Sequence, residues 1–178
     1  HSSGRDGDSL HYAMEYVDGV PLGVWLERAP ASPNARVEVL LPIVDALAHA
    51  HEQGIVHRDV KPANVLIDRS GRPRITDFGL AKSLAGSERL TQTGALVGTP
   101  AYMAPEQANR KLDRIGAHTD VYSLGALFYE VLSGRTPFEA DTLFDLMMKI
   151  LSEEPRSLVE LDARIDRDLD RIVRQCLA

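Results

Sequence analysis

The stretch of sequence that decides the fold is His57-Arg58-Asp59-Val60-Lys61-Pro62-Ala63-Asn64. It brings a carboxylate, an ammonium group and an amide together within one short segment of the chain. Lys61 follows Asp59 at a spacing of two, and an extended loop sends side chains at that spacing to the same side. We therefore expect a polar loop in which these two side chains lie close together.

Three further motifs follow this loop along the chain. Residues 77–79 are Asp-Phe-Gly, residues 104–106 are Ala-Pro-Glu, and residues 120–125 are Asp-Val-Tyr-Ser-Leu-Gly. One such tripeptide alone is weak evidence, whereas four motifs in this order are very specific. Together they resemble the catalytic loop, the metal-binding motif, the end of the activation segment and the central-helix motif of protein kinases. The resemblance covers essentially the whole chain.

The resemblance implies an α+β, protein-kinase-like fold that consists mainly of the helical C-terminal lobe (C-lobe). Residues 1–17 are expected to form the end of the N-terminal lobe (N-lobe) sheet and the hinge, and residues 18–178 the C-lobe. The catalytic loop is expected at 57–64 and the activation segment at 77–106. The Gly-rich loop and lysine of the N-lobe and the final helices are expected outside this sequence, so we expect the fragment alone to be inactive.

Two stretches narrow the resemblance to bacterial eukaryotic-type (Hanks-type) Ser/Thr protein kinases. They are residues 59–66, Asp-Val-Lys-Pro-Ala-Asn-Val-Leu, and residues 98–103, Gly-Thr-Pro-Ala-Tyr-Met. A lysine at the position of Lys61 is also typical of Ser/Thr kinases rather than Tyr kinases. The resemblance therefore implies transfer of the γ-phosphate of ATP to Ser and Thr hydroxyls of proteins, with Mg²⁺ as a further cofactor.

Four side chains are implied to carry this chemistry. Asp59 would accept a hydrogen bond from the substrate hydroxyl, and positioning is expected to exceed proton abstraction because carboxylates are weak bases at neutral pH. Lys61 would contact the γ-phosphate. Asn64 and Asp77 would bind the nucleotide through Mg²⁺, which prefers hard oxygen ligands. The alternatives are a loop-capping aspartate, a solvated lysine and ordinary turn residues.

The front of the chain matches the nucleotide hinge of the family. Met14 would lie at the back of the adenine pocket, and main-chain groups of Glu15 and Val17 would meet the adenine edge. The sequence of residues 14–17, Met-Glu-Tyr-Val, is weak evidence by itself, and an edge strand without a ligand is the alternative.

Regulation is implied by the residue before the candidate catalytic aspartate. Kinases with an arginine at the Arg58 position are often controlled by phosphorylation of the activation loop, because a phosphothreonine binds such an arginine and orders the loop. Thr91 and Thr93 are the candidate phosphorylation sites. The alternative is a flexible polar loop that is never modified.

Three residues are assigned structural roles by the resemblance. Thr99 would form the wall of the acceptor site beside the catalytic loop, and Asp120 would belong to the central helix. Glu106 pairs in the family with an arginine from one of the final helices. We therefore expect Glu106 to be partly buried and without a partner in this chain.

Composition restricts the classes of partner. The net charge of −6 argues against a nucleic-acid binder, which would carry a basic face. The single cysteine excludes an internal disulfide, and no apolar run approaches the roughly 20 residues of a membrane span. We expect a cytoplasmic protein, with any membrane anchor elsewhere in the full-length chain. Its expected partners are Ser- or Thr-bearing proteins or peptides, and a second copy for activation-loop autophosphorylation.

Local patterns predict the elements that position these motifs. Strands are expected at 10–17, 55–56, 65–67 and 74–76, with turns at 4–8, 18–19 and 71–73. Helices are expected at 22–27, 32–53, 119–133, 141–151 and 166–178. The second helix has a predicted apolar stripe of Val37, Leu40, Leu41, Val44, Leu47 and Ala48, and the third is expected to be central and buried.

Three other functions compete with an active kinase. A scaffold without catalysis is not favoured, because Asp59, Lys61, Asn64 and Asp77 are all present. A small-molecule phosphotransferase of the aminoglycoside type would lack an activation segment closing in Ala-Pro-Glu. A pure interaction module would not need this set of acid, amide and lysine.

Overall fold

The computed structural model describes residues 2–6, 9–28, 32–78, 100–109 and 111–178. The helices are α1 Leu22–Leu26, α2 Pro33–Glu52, α3 Pro105–Ala108, α4 Ala117–Ser133, α5 Leu143–Ser152, α6 Leu158–Leu161 and α7 Arg167–Cys176. The strands are β1 Ser2–Asp6, β2 Ser9–Ala13, β3 Gly19–Pro21, β4 Val65–Asp68 and β5 Pro73–Ile75. Short 3₁₀ turns lie at Pro62–Asn64, Pro100–Tyr102 and Leu112–Arg114.

The first strands form an antiparallel pair at the front of the chain. In this pair Ser2 lies opposite Ala13, and Asp6 lies opposite Ser9. The predicted turn at 4–8 is wrong in its first half, because residues 4–6 lie in β1. The predicted strand at 10–17 is too long, since β2 ends at Ala13 and residues 14–17 have no strand partner.

A second sheet, in the order β3-β4-β5, lies next to the predicted catalytic loop. Gly19 begins β3 opposite Asp68, so the predicted turn at 18–19 is wrong. A side chain there would place its Cβ 2.4 Å from the carbonyl oxygen of Ile67, which explains why glycine allows this close pairing. The β4-β5 hairpin matches the prediction to within one residue, whereas residues 55–56 form no strand.

Helix α2 begins and ends as its sequence predicts but buries a different face. Ser32 precedes Pro33 at the first helical position, and Gly54 follows the helix with a left-handed φ of 72°. Leu40, Ile43 and Leu47 are buried, whereas Leu41, Val44 and Ala48 of the predicted stripe are exposed. The helix carries apolar residues on two faces, and packing against α4 selects the face that contains Ile43.

Helix α4 is the central, buried helix that the sequence predicts. One apolar cluster contains its Tyr122, Ala126 and Tyr129, and the other contains its Leu127 and Val131. It ends at Gly134, whose φ of 75° lies in the left-handed region. Because α4 separates the two clusters, groups on its surface can reach both the catalytic loop and the segment after residue 100.

The crossing of α4 and α7 depends on the absence of a side chain at Gly125. A Cβ there would lie 2.6 Å from the Cβ of Cys176. We expect Gly125→Ala to lower the free energy of unfolding of the full-length protein by about 1–3 kcal/mol, measured by urea denaturation. Gly23→Ala is the control, because nothing lies within 4 Å of its added Cβ. Equal stability of the two variants would contradict close packing at this crossing.

Candidate active site

A buried carboxylate from α4 anchors the start of the predicted catalytic loop. The Asp120 side chain is fully buried, and its Oδ2 atom accepts a hydrogen bond from the backbone N–H of His57 at 2.7 Å. Its Oδ1 atom accepts the N–H of Arg58 at 2.6 Å. His51 on α2 places Nε2 2.7 Å from the same Oδ2. These contacts compensate the burial of the charge and fix the loop on the central helix.

The next residues adopt a strained path that the surrounding groups hold in place. Arg58 has a φ of 70°, which is uncommon for a residue with a side chain. The buried His57 ring bridges two backbone groups: its Nδ1 accepts the N–H of Asp59 at 3.3 Å, and its Nε2 lies 2.8 Å from the carbonyl oxygen of Thr76. His57 is therefore a packed structural residue of this loop.

Asp59, Lys61 and Asn64 are in direct contact. Lys61 Nζ lies 2.7 Å from Asp59 Oδ2. The side-chain amide of Asn64 donates to the same Oδ2 at 3.0 Å and to the carbonyl oxygen of Asp59 at 2.8 Å. Both cationic and amide donors therefore converge on Oδ2. Among the described residues, no group donates to Oδ1, so this atom is available to an incoming hydroxyl.

The β4-β5 hairpin brings Thr76, the residue before Asp77, into contact with the backbone of Asn64. The N–H of Thr76 donates to the carbonyl oxygen of Asn64 at 2.8 Å, and the Thr76 hydroxyl approaches the same atom at 3.3 Å. Asp77 follows with a φ of 63° and an exposed side chain. Its carboxylate makes no hydrogen bond or ion pair to another described residue. Phe78 then packs its ring 4.6 Å from that of His57.

The structure describes only some of the residues that are predicted to bind the nucleotide or to regulate the activity. Met14 and Glu15 are exposed and Val17 is half-buried, all in the extended segment after β2. Thr91, Thr93 and Thr99 lie outside the described residues. Arg58 is half-buried, and its Nε is buried without a hydrogen-bond partner in the described part of the chain.

The end of the predicted activation segment is fixed on α4. The Tyr102 hydroxyl donates to Glu130 Oε2 at 2.5 Å, and Ser123 Oγ donates to the Tyr102 carbonyl oxygen at 2.7 Å. Burial and the neighbouring Glu130 carboxylate raise the pKa of Tyr102 above its ordinary value. Tyr102 therefore stays protonated as a donor, and the segment that leads into α3 is held against the central helix.

The expectation that Glu106 has no partner is wrong. Its side chain is 13% exposed, accepts a hydrogen bond from the Thr119 hydroxyl and lies 3.3 Å from His118 Nε2. Thr119 is itself buried at the start of α4. Glu106 also lines a cavity of about 270 Å³, together with Pro105, Asn109, Lys111, Arg114, His118 and Leu151. Thr119 and His118 of α4 thus contact Glu106, whereas the resemblance implied an arginine from one of the final helices as its partner.

Sequence reasoning missed two residues that shape this site. His51 has no evident role in the sequence, but it contacts Asp120 from the last turn of α2. Gln107 forms hydrogen bonds through its side chain to the catalytic loop and to the backbone before α3. No local signal could have identified the contacts of His51 with Asp120 and of Gln107 with Arg58, because each joins segments that are far apart in the sequence.

Comparisons with known proteins identify the family of this chain. The family described as "Protein kinase domain" matches residues 1–178. The chain belongs to the protein kinase family. The family in general uses ATP and a divalent metal ion and acts on protein substrates.

Several bacterial protein kinases are similar to this chain. It is 39% identical to serine/threonine-protein kinase PknB of Mycobacterium tuberculosis over 97% of its own length and 28% of the relative's. A probable serine/threonine-protein kinase of Streptomyces coelicolor is 39% identical over 97% of this chain and 26% of the relative. One from Corynebacterium efficiens is 42% identical over 85% and 23%. The chain therefore spans less than a third of each of these proteins.

Within the ranges that the structure describes, no helix combines the length and the apolar character needed to cross a membrane.

Proposed function

We propose that the full-length protein is a Ser/Thr protein kinase that transfers the γ-phosphate of ATP to Ser and Thr hydroxyls of proteins. The observation that carries this proposal is the contact group of Asp59, Lys61 and Asn64, with Asp77 at the end of the adjoining hairpin. The names of the bacterial relatives, which are serine/threonine-protein kinases, support the same activity. The lysine two residues after Asp59 supports Ser/Thr as the acceptor class.

Asp59 acts mainly by orienting the acceptor. Its Oδ2 is held by Lys61 and Asn64, so the carboxylate has a fixed plane and presents Oδ1 to the hydroxyl of the substrate. Such positioning converts a collision between two molecules into a reaction between pre-aligned groups. The Lys61 ammonium, next to Asp59, neutralises negative charge on the phosphoryl group as it is transferred.

The donor set of Asn64 and Asp77 fits Mg²⁺. Both Asn64 hydrogen bonds are donated by its amide nitrogen, which leaves the amide oxygen as a ligand, and the Asp77 carboxylate is unpaired among the described residues. Mg²⁺ is commonly bound by one or two protein oxygens together with substrate phosphates. When bound, the ion neutralises charge on the β- and γ-phosphates.

The front of the chain supplies the adenine contacts in this proposal. Residues 1–17 end the N-lobe sheet, with backbone groups of Glu15 and Val17 at the adenine edge and Met14 behind it. Within the described part of the chain, residues 14–17 have no strand partner and no other backbone hydrogen bond, and this supports the proposal because a bound ligand could satisfy their donors and acceptors. Residues 18–178 then form the C-lobe.

The activity is tested with the purified full-length protein, Mg²⁺ and γ-labelled ATP. We expect label to appear on a peptide mixture that contains Ser and Thr acceptors, and not on matched peptides that contain Ala or Tyr at those positions. Omitting Mg²⁺ is expected to remove transfer. Equal labelling of the Ser/Thr and Tyr peptides, or none of any peptide, would overturn the proposed acceptor class or the activity.

Phosphorylation of the activation segment is proposed to regulate this activity through Arg58. The Arg58 Nε is buried and has no hydrogen-bond partner among the described residues. This supports the proposal, because a phosphate group could supply the missing acceptor. We expect the double variant Thr91→Ala, Thr93→Ala to lose roughly tenfold in kcat or more, measured after preincubation with ATP. Arg58→Lys should give a similar loss. Full activity of the unphosphorylatable variant would contradict this mechanism.

Self-association is the proposed route to that phosphorylation. One copy would present its activation segment as a protein substrate to another, so the initial rate of autophosphorylation should rise with the square of the protein concentration. A first-order dependence would indicate a reaction within one molecule. The net charge of −6 supports protein rather than nucleic-acid partners.

A further inference from the structure

The side chain of Gln107 joins the end of the activation segment to the catalytic loop. Gln107 lies on α3, and its Nε2 donates to the carbonyl oxygen of Arg58 at 2.8 Å. Its Oε1 accepts the N–H of Ala104 at 3.0 Å. A carbonyl requires a donor and an N–H requires an acceptor, so these two partners fix which way the amide is turned. The contact spans 49 residues of sequence.

The carbonyl that Gln107 holds belongs to the peptide group that leads directly into Asp59. The other end of this peptide, the N–H of Asp59, donates to His57 Nδ1 at 3.3 Å. The peptide before Arg58 is held separately, because Asp120 Oδ1 accepts the N–H of Arg58. The plane of the peptide before Asp59 is therefore set by Gln107 on one edge and by His57 on the other.

This support matters because the backbone at Arg58 is strained. A non-glycine residue with a φ of 70° occupies a sparsely populated conformation and relaxes unless its neighbours hold it. Rotation of the peptide after Arg58 would move Asp59 relative to Lys61 and Asn64. Without the Gln107 donor, the Arg58 carbonyl loses a hydrogen bond that fixes its direction, and that rotation becomes easier.

We propose that Gln107 is a positioning residue for phosphoryl transfer, which orients Asp59 by holding the peptide that precedes it. The inference rests on the proposed kinase function and deepens it. Gln107 directly follows Glu106, so the same contact makes the alignment of Asp59 depend on the correct seating of the activation segment's last residues. The Gln107 side chain acts only through the Arg58 peptide and touches neither substrate.

The competing explanation is that Gln107 merely caps a short helix. The third helical residue often accepts the N–H of the N-cap residue, and Gln107 does this for Ala104. Gln107→Glu separates the two roles. A glutamate keeps the shape and the acceptor for Ala104 and suits a helix N-terminus, but places a carboxylate oxygen against the Arg58 carbonyl oxygen. If Gln107 only caps the helix, Gln107→Glu should keep its activity. If Gln107 positions Asp59, Gln107→Glu should lose activity.

The experiment compares wild-type, Gln107→Glu and Gln175→Glu full-length proteins. Gln175 is exposed on α7 and makes no described side-chain contact, so it controls for the change in charge. We expect Gln107→Glu to lower kcat roughly 10- to 100-fold, with less than about a threefold change in KM for ATP. The unfolding midpoint should match that of the control.

Three outcomes would overturn the inference, and one of them would also overturn the proposed kinase function. An active wild type and an equally active, folded Gln107→Glu variant overturn it alone. A wild type that transfers no phosphate defeats the proposed function, and the inference falls with it. If Gln107→Glu does not fold, a crystal structure of the wild type decides: Nε2 within hydrogen-bond distance of the Arg58 carbonyl oxygen supports the inference, and a separated pair overturns it.

Discussion

Asp59→Asn is expected to lower kcat of the full-length kinase by about 10²- to 10⁴-fold while leaving the fold intact. An amide has the size of the carboxylate but can offer a donor to the acceptor hydroxyl and to Lys61, where the carboxylate only accepts. The Asp59 side chain is 38% exposed, so its loss of charge should cost little stability. Steady-state phosphotransfer to a Ser peptide measures the effect.

The matched control for this substitution is Asp45→Asn. Asp45 is exposed on α2 and makes no hydrogen bond or ion pair within the described residues, so its kcat should equal that of wild type. The melting temperatures of both variants should lie within a few degrees of wild type. An Asp59→Asn protein that turns over at the wild-type rate would remove Asp59 from the mechanism.

The second large effect is expected for Asp120→Asn, and it concerns stability as well as activity. Asp120 accepts the backbone N–H groups of His57 and Arg58 on different oxygens. Whichever way an asparagine amide is turned, its NH₂ group faces one of these N–H donors. A buried donor then loses its partner, so we expect the free energy of unfolding to fall by about 2–4 kcal/mol.

Chemical denaturation checks this expectation, with Asp141→Asn as the control. Asp141 is exposed and makes no described contact, so the free energy of unfolding of Asp141→Asn should equal that of the wild type. Because Asp120 also positions the catalytic loop, its variant should lose activity even below its unfolding transition. Wild-type stability and activity in Asp120→Asn would show that the loop does not depend on this carboxylate.

The order of the motifs predicted the architecture because each motif marks a specific place in one fold. Helix α4 was predicted well, since its apolar character on several faces requires a central position and Gly134 ends it. The β4-β5 hairpin was predicted from the turn residues between its apolar segments. The side-chain proximity of Asp59 and Lys61 followed from their spacing alone.

Other features could not be predicted because they depend on packing between distant segments. The sequence of α2 offers two apolar faces, and only the position of α4 decides that Ile43 is buried and Leu41 is exposed. Gly19 suggested a turn, but close pairing with Ile67 places it in a strand. The Gln107 contact is of the same kind, since α3 reaches Arg58 only in the folded chain.

The central claim is that Asp59, Asn64 and Asp77 bracket the terminal phosphate of a nucleotide and its metal ion. The most direct measurement is a crystal structure of the full-length kinase domain with Mg²⁺, a non-hydrolysable ATP analogue and a Ser peptide. We expect an Asn64 side-chain oxygen and an Asp77 carboxylate oxygen at about 2.0–2.1 Å from Mg²⁺. We also expect the Asp59 carboxylate within hydrogen-bond distance of the Ser hydroxyl. Nucleotide and metal bound away from these side chains, or the three side chains on separate surfaces, would contradict the account.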